Sequence, residues 1–174
     1  MNLRVSEIAK ALNADVHSEN LINRVSIDSR DIDENTLFFA IKGERFDGHD
    51  FINDVAEKGV GAIVSHKKIE CSAPVILVED TKQAFLDFAS YYRQSMPNLL
   101  VVGLTGSVGK TTTKEMISAA LETEKKVLKT IGNKNSQIGL PLMMFYLDNS
   151  YDIAVIEMGM SEVGEMKNLA AVAS

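Results

Sequence analysis

The sequence predicts an α/β protein: a small mixed α/β N-terminal domain followed by an incomplete parallel-sheet nucleotide-binding domain built on a phosphate loop. Three observations lead there. Short runs rich in valine and isoleucine alternate with stretches of helical periodicity, the pattern of strands joined by crossover helices. The apolar run Leu99–Val102 leads into Gly103-Leu104-Thr105-Gly106-Ser107-Val108-Gly109-Lys110-Thr111-Thr112, which reads as strand, glycine loop, Lys-Thr and helix. The 174 residues, 45% hydrophobic and 24% charged, have an ordinary globular composition and length for one domain or two small ones.

Taken in order, Ser6–Leu12 places apolar side chains at helical spacing behind Ser6, predicting a short helix capped by that hydroxyl. Val25 and Ile27 alternate with polar neighbours and Leu37–Ile41 is a denser apolar run, so both read as strands, with the polar turn Asp28–Asn35 between them. The loop Lys42–Phe51 precedes a helix over Phe51–Lys58 and strands over Gly61–Ser65 and Val75–Val78. Thr81 is placed to cap a helix from Lys82 to Ser95, whose apolar face is Ala84, Phe85, Phe88, Ala89 and Tyr92, and Pro97 ends it. Because that helix feeds the phosphate-loop strand, the boundary is placed before it: residues 1–79 form the first domain and residues 80–174 the start of the second.

Beyond the loop, Thr111–Leu121 reads as a helix, Lys126–Thr130 as a strand, Leu140–Leu147 as a helix opened by Pro141, Tyr151–Glu157 as a strand and Glu162–Val172 as a last helix. That is about three strands where doubly wound sheets carry about five or six. The expectation is the front part of a longer protein.

The net charge of -6 and pI near 5.1 argue against a nucleic-acid scaffold. The N-terminus lacks the apolar core of a signal peptide and no apolar run reaches the ~18 residues of a membrane span. With the single Cys71 excluding an internal disulfide, a cytoplasmic protein without membrane insertion is expected.

The chemistry starts at the loop. Glycines let the backbone wrap closely around phosphate oxygens, and successive N–H groups at a helix N-terminus face the negative charge. Lys110 then reaches the outer phosphates of a nucleotide triphosphate and the Thr111 hydroxyl ligates Mg2+. The first glycine of the common template is replaced here by Leu104. Glu157 ends an apolar strand, and ligands of open α/β sheets gather at the carboxyl ends of strands, so this acid is a candidate for Mg2+. The loop Asn133–Gln137 offers amides either to a ligand or to its own turn. Arg30, Lys42 and Arg45 read either as a local anion site or as solubilising charges. Phe38 and Phe39 read as core, and Phe46, in a glycine-bearing loop, as an exposed aromatic able to stack on a base. No second His or Cys lies at ligand spacing from His49, and His17 and His66 read as surface residues.

Thr105-Gly106-Ser107-Val108-Gly109-Lys110-Thr111-Thr112 resembles the T-G-x-x-G-K-[ST]-[ST] loop of the Mur ligases, which also lack the first template glycine. The resemblance extends to Asp28-Ser29-Arg30, Leu37–Gly43, Phe46-Asp47-Gly48-His49-Asp50-Phe51, Gly132–Leu142 and Glu157-Met158-Gly159. It implies an ATP-dependent amide ligase of peptidoglycan synthesis that forms an acyl phosphate. It implies UDP-N-acetylmuramoyl-tripeptide and D-Ala-D-Ala as the substrates, and a monomer is expected. Carried over by motif, Gly106, Ser107, Val108, Gly109, Lys110, Thr111 and Thr112 bind ATP, with Lys110 catalytic and Thr111 and Glu157 on Mg2+. Ser29, Arg30, Gly43, Glu44, Arg45 and Phe46 face the UDP moiety, and Asn135 lies near the substrate phosphates. Ser136 departs from the second asparagine common in the family. The family's carbamylated lysine, its metal-binding histidine, its adenine contacts and its C-terminal domain all fall beyond Ser174, so the chain alone is expected to be catalytically incomplete. A Mur ligase that adds a single amino acid and a non-catalytic nucleotide-binding module stay open as alternatives.

Overall fold

The strand Thr36–Phe39 is buried at every position, which requires cover on both faces of its sheet. In the computed structural model, which describes residues 1–174, that strand lies in the first of two units, Met1–Phe88 and Ala89–Ser174. The first unit opens with β1 (Leu3–Arg4), α1 (Val5–Ala11) and β2 (Leu21–Ile22), the two short strands pairing antiparallel. Four parallel strands follow in sequential order: β3 (Arg24–Ser26), β4 (Thr36–Phe39), β5 (Ala62–Ser65) and β6 (Val75–Leu77). A 3-10 turn over Gly48–Phe51 runs into α2 (Ile52–Glu57) between β4 and β5. Successive residues of a strand face opposite sides. Phe38 therefore packs with Ile52, Val55, Ala56, Val60 and Ile63, while the Phe39 ring meets Phe85 edge-on at 5.0 Å and Phe88 at 6.1 Å.

Two expected caps move by one residue or more. The first helix begins at Val5, so Ser6 lies inside its first turn, and the Glu7 carboxylate accepts the Arg4 N–H at 2.7 Å. Helix α3 (Thr81–Gln94) is capped by Asp80, whose Oδ1 accepts from Lys82 N at 2.7 Å and Gln83 N at 3.1 Å, rather than by Thr81. This helix runs across the division between the two units at Phe88.

The second unit holds β7 (Leu100–Leu104), β8 (Val127–Lys129) and β9 (Ile153–Glu157), all parallel in the order β7-β9-β8. β9 is central and buried throughout. Helix α4 (Lys110–Leu121) packs on β8 and β9, and α6 (Glu165–Ala173) packs on β7 and on α5 (Gly139–Met144). The last helix starts later than its apolar pattern suggests. The Glu165 carboxylate accepts from Ser161 N and Glu162 N and folds those residues into a turn ahead of the helix. No helix is long and apolar enough to cross a membrane.

Candidate functional site

Placing β9 between β7 and β8 brings the ends of two chemistry-bearing strands together. Leu104, which closes β7 and starts the loop, pairs in register with Glu157, which closes β9. The chain then turns through Thr105–Gly109 into α4. Gly109 caps that helix at φ +76°, a conformation costly for residues with a Cβ. The first four N–H groups of any helix have no partner within it, so those of α4 open onto this loop. Lys110 is the first helical residue, and its Nζ arcs back to donate to the Gly106 carbonyl at 2.8 Å. Ser107 and Val108 lie exposed along the same bend, and Thr112 lies exposed in the first turn of α4.

Glu157 is 4% exposed, so its carboxylate needs partners. Thr111 Oγ1 donates to Oε2 at 3.1 Å and Asn135 Nδ2 donates to Oε1 at 2.9 Å. The Asn135 carbonyl accepts from Gly159 N at 2.8 Å, which ties the loop after β8 to the turn after β9. The amides of 133–137 therefore serve the site through Asn135, and Gln137 bonds elsewhere, to Glu165 and Asn168. A carboxylate and a hydroxyl side by side, both hard oxygen donors, fit Mg2+. Two participants carry no signal in the loop motif: Lys114 and Thr130, both buried, stand behind Glu157. Only their burial and their mutual hydrogen bond after folding separate them from ordinary helix and strand-end residues.

In the first unit the singled-out residues occupy the loops that leave adjacent parallel strands, β3 and β4, at their carboxyl ends. Asp28 holds Arg30 three ways: Oδ1 accepts from Arg30 N at 3.0 Å and Nε at 2.9 Å, and Oδ2 accepts from Nη2 at 2.7 Å. The Arg30 side-chain hydrogen bonds hold the Asp28 carboxyl down at about 2, and the same carboxylate raises Arg30. Lys58 Nζ donates to the Ser29 carbonyl at 2.8 Å. The next loop is closed by Gly43 N donating to Phe46 O at 2.9 Å, with Glu44 and Arg45 exposed at its tip and the Phe46 ring 73% exposed. Gly48 is needed for close approach, since a Cβ there would sit 2.8 Å from Ile41 N. His49 is buried: Nδ1 lies 2.6 Å from Asp47 Oδ1, and its ring abuts that of exposed His66 at 4.1 Å. His49 N–H and then its ring hold the Asp47 carboxyl well below the usual carboxylate range. Asn135 belongs to the second unit, on Glu157, whereas the other residues assigned to UDP lie in the first.

Two family profiles match. One, described as the Mur ligase family catalytic domain, covers residues 21–93, and the Mur ligase middle domain covers residues 104–174. The chain belongs to the Mur ligase family. Among curated Mur ligases, the UDP-N-acetylmuramoyl-tripeptide–D-alanyl-D-alanine ligase of Bacillus subtilis is 42% identical over 91% of this chain and 35% of its own length. The enzyme of the same name from Escherichia coli is 38% identical over 95% of this chain and 37% of its own. A crystal structure of MurF from Acinetobacter baumannii superposes with a TM-score of 0.95 at 32% identity, covering 99% of this chain and 39% of that one. The MurF ligase of Thermotoga maritima in complex with ADP gives a TM-score of 0.80 at 37% identity, covering 86% of this chain and 35% of that one. The chain thus spans a little over a third of these relatives.

Proposed function

We propose that the chain supplies the substrate-holding and phosphate-binding parts of an ATP-dependent ligase that joins D-Ala-D-Ala to UDP-N-acetylmuramoyl-tripeptide. The observation that carries this reading is the contact of the phosphate-loop Thr111 with a buried strand-end acid, Glu157, itself oriented by Asn135. Labour divides near residue 80. Residues 1–79 hold the UDP moiety through Ser29, Arg30 and the Gly43–Phe46 loop, and residues 80–174 hold ATP through Gly106–Thr112. The likeness to the T. maritima enzyme, a complex with ADP, supports nucleotide use.

The tripeptide carboxylate attacks the γ-phosphorus of ATP, the bond to ADP breaks, and an acyl phosphate forms. The D-Ala-D-Ala amine then attacks the acyl carbon, gives up a proton and expels inorganic phosphate, leaving the amide. Catalysis of such a transfer is mostly positioning and charge neutralisation. Loop N–H groups and the start of α4 hold phosphate oxygens, and the Lys110 ammonium swings from the Gly106 carbonyl onto the transferring phosphate. Thr111 and Glu157 hold Mg2+, which supplies charge neutralisation at the phosphates, and Asn135 fixes the Glu157 carboxylate. This reading carries with it a cytoplasmic monomer; light scattering that gave twice the chain mass would remove the monomer.

In the full-length protein, Lys110→Ala should lower ATP-dependent ligation by a hundredfold or more, on the order of losing one preorganised charge donor. Retained turnover would falsify the role given to Lys110. Offering single amino acids beside D-Ala-D-Ala in the same assay tests the acceptor: product from a single amino acid alone would move the protein to another Mur ligase activity.

A further inference from the structure

Glu157 is gripped at its main chain as well as at its carboxylate. Its N–H faces β8, but the β8–β9 ladder ends with Lys129 opposite Val155, so no strand carbonyl is left to accept it. The Thr130 hydroxyl accepts instead at 2.8 Å, just past the end of β8. Thr130 is 2% exposed and all of its polar groups are used: its N–H donates to the Val155 carbonyl at 3.0 Å, and its own carbonyl accepts from Lys114 Nζ at 2.9 Å. Lys114, 3% exposed on α4, also lies 3.2 Å from Glu115 Oε1.

Burying an ammonium group costs free energy that a methionine of similar length would avoid. What the lysine adds is a donor for a strand-end carbonyl that no backbone N–H reaches. Thr111 and Lys114 are three residues apart, on one face of α4. One reaches the Glu157 carboxylate directly, and the other reaches Thr130, which holds the Glu157 amide.

We propose that Lys114 and Thr130 are positioning residues. Lys114 pins the end of β8 to the phosphate-loop helix, and the Thr130 hydroxyl then sets the Glu157 main chain so that its carboxylate meets Thr111. Neither touches nucleotide or cation. The inference rests on the reading of Glu157 and Thr111 as the Mg2+ holders, and it predicts that the clamp is felt in cation affinity.

The test is calorimetric titration of ADP into the protein across a Mg2+ series, with thermal melting as a check on folding. Thr130→Val keeps the shape and removes the acceptor, and Lys114→Met keeps the length and removes the donor. Each should raise the Mg2+ concentration for half-maximal ADP binding by about tenfold or more, the usual effect of removing an outer-shell partner of a metal ligand. ADP affinity without Mg2+ should not change, and Thr130→Ser should restore the wild-type Mg2+ requirement. Equal weakening with and without Mg2+, or no rescue by serine, reduces the pair to structural support and overturns the inference. Glu157→Gln separates the two levels. If it shifts the Mg2+ requirement and neither Thr130→Val nor Lys114→Met does, the clamp is wrong while the cation site stands. If Glu157→Gln has no effect, the cation site itself is wrong and the inference goes with it. Should Thr130→Val fail to fold, the Lys114→Met and Thr130→Ser titrations decide.

Discussion

The two parallel sheets present their chemistry in opposite ways. In the first unit the singled-out side chains are exposed and held by local pairs: Arg30 lies on its neighbour Asp28, and Phe46 stands out from a short closed loop. In the second the acid is buried, and Glu157 is fixed from two sides, by Thr111 of α4 and by Thr130 and Asn135 of the segment that follows β8. The inner strands are buried at every position in both units, β4 and β5 in the first and β9 in the second, and the larger exposed apolar side chains of the second lie on its outer elements, Leu100 of β7 at 59% and Met116 of α4 at 69%. On the proposed reading the difference has a physical reason: a cation needs oxygen donors held closely in place, which buried strand ends provide, whereas a flat base and a diphosphate are satisfied by stacking and by charge at a surface.

The packing half of that contrast gives the largest expected effect. Phe39 touches Phe85 and Phe88 and is fully buried, so Phe39→Ala should destabilise the protein by about 3–5 kcal/mol, while Met116→Ala should stay within about 0.5 kcal/mol of wild type. Urea denaturation followed by circular dichroism measures both. Similar losses for the two would mean that the second unit hides its α4 surface in solution.

Next in size is the surface half. Phe46 contributes little to packing, so Phe46→Ala should leave stability within about 0.5 kcal/mol. It should nevertheless weaken binding of the UDP substrate by about 1–3 kcal/mol, the range for loss of one aromatic stacking partner, or about fivefold to a hundredfold in Kd. ATP affinity should hold. Equal weakening of both ligands would reject the division of labour between the units.

Much of this was legible because the deciding signals are local. The phosphate loop is set by glycine spacing and Lys110-Thr111, and Glu157 by its place at the end of an apolar strand. Phe38 and Phe39 read as core from their run alone and are fully buried. What escaped depends on pairing between distant segments. Lys114 looks like any solvated helix lysine until β8 is laid beside α4, and Thr130 matters only because the ladder stops one residue before it. The caps at Glu7 and Asp80 were missed for a smaller reason. Ser6 and Thr81 each sit within one or two residues of the true cap, and only backbone geometry chooses among adjacent polar residues.

The smallest effect tests whether the first unit's pairs are as loosely held as their exposure suggests. Asp28 titrates near 2 in the folded protein, below the ~3.9 of an unfolded aspartate, so its pairing with Arg30 stabilises the fold above about pH 4. That contribution is lost as pH falls from about 4 through 2, where the unfolded carboxylate is protonated and the folded one half so. With the Asp28 side chain 43% exposed and Arg30 85% exposed, solvent screening holds the effect to under about 1 kcal/mol. Asp28→Asn should therefore be slightly less stable than wild type at pH 7 and indistinguishable from it near pH 2, and added salt at pH 7 should narrow the gap. A gap that persisted unchanged to pH 2 would mean that Asp28 acts through the shape of its turn, accepting the Arg30 N–H, and not through its charge. Arg30 would then be free to leave Asp28 for a diphosphate at little electrostatic cost.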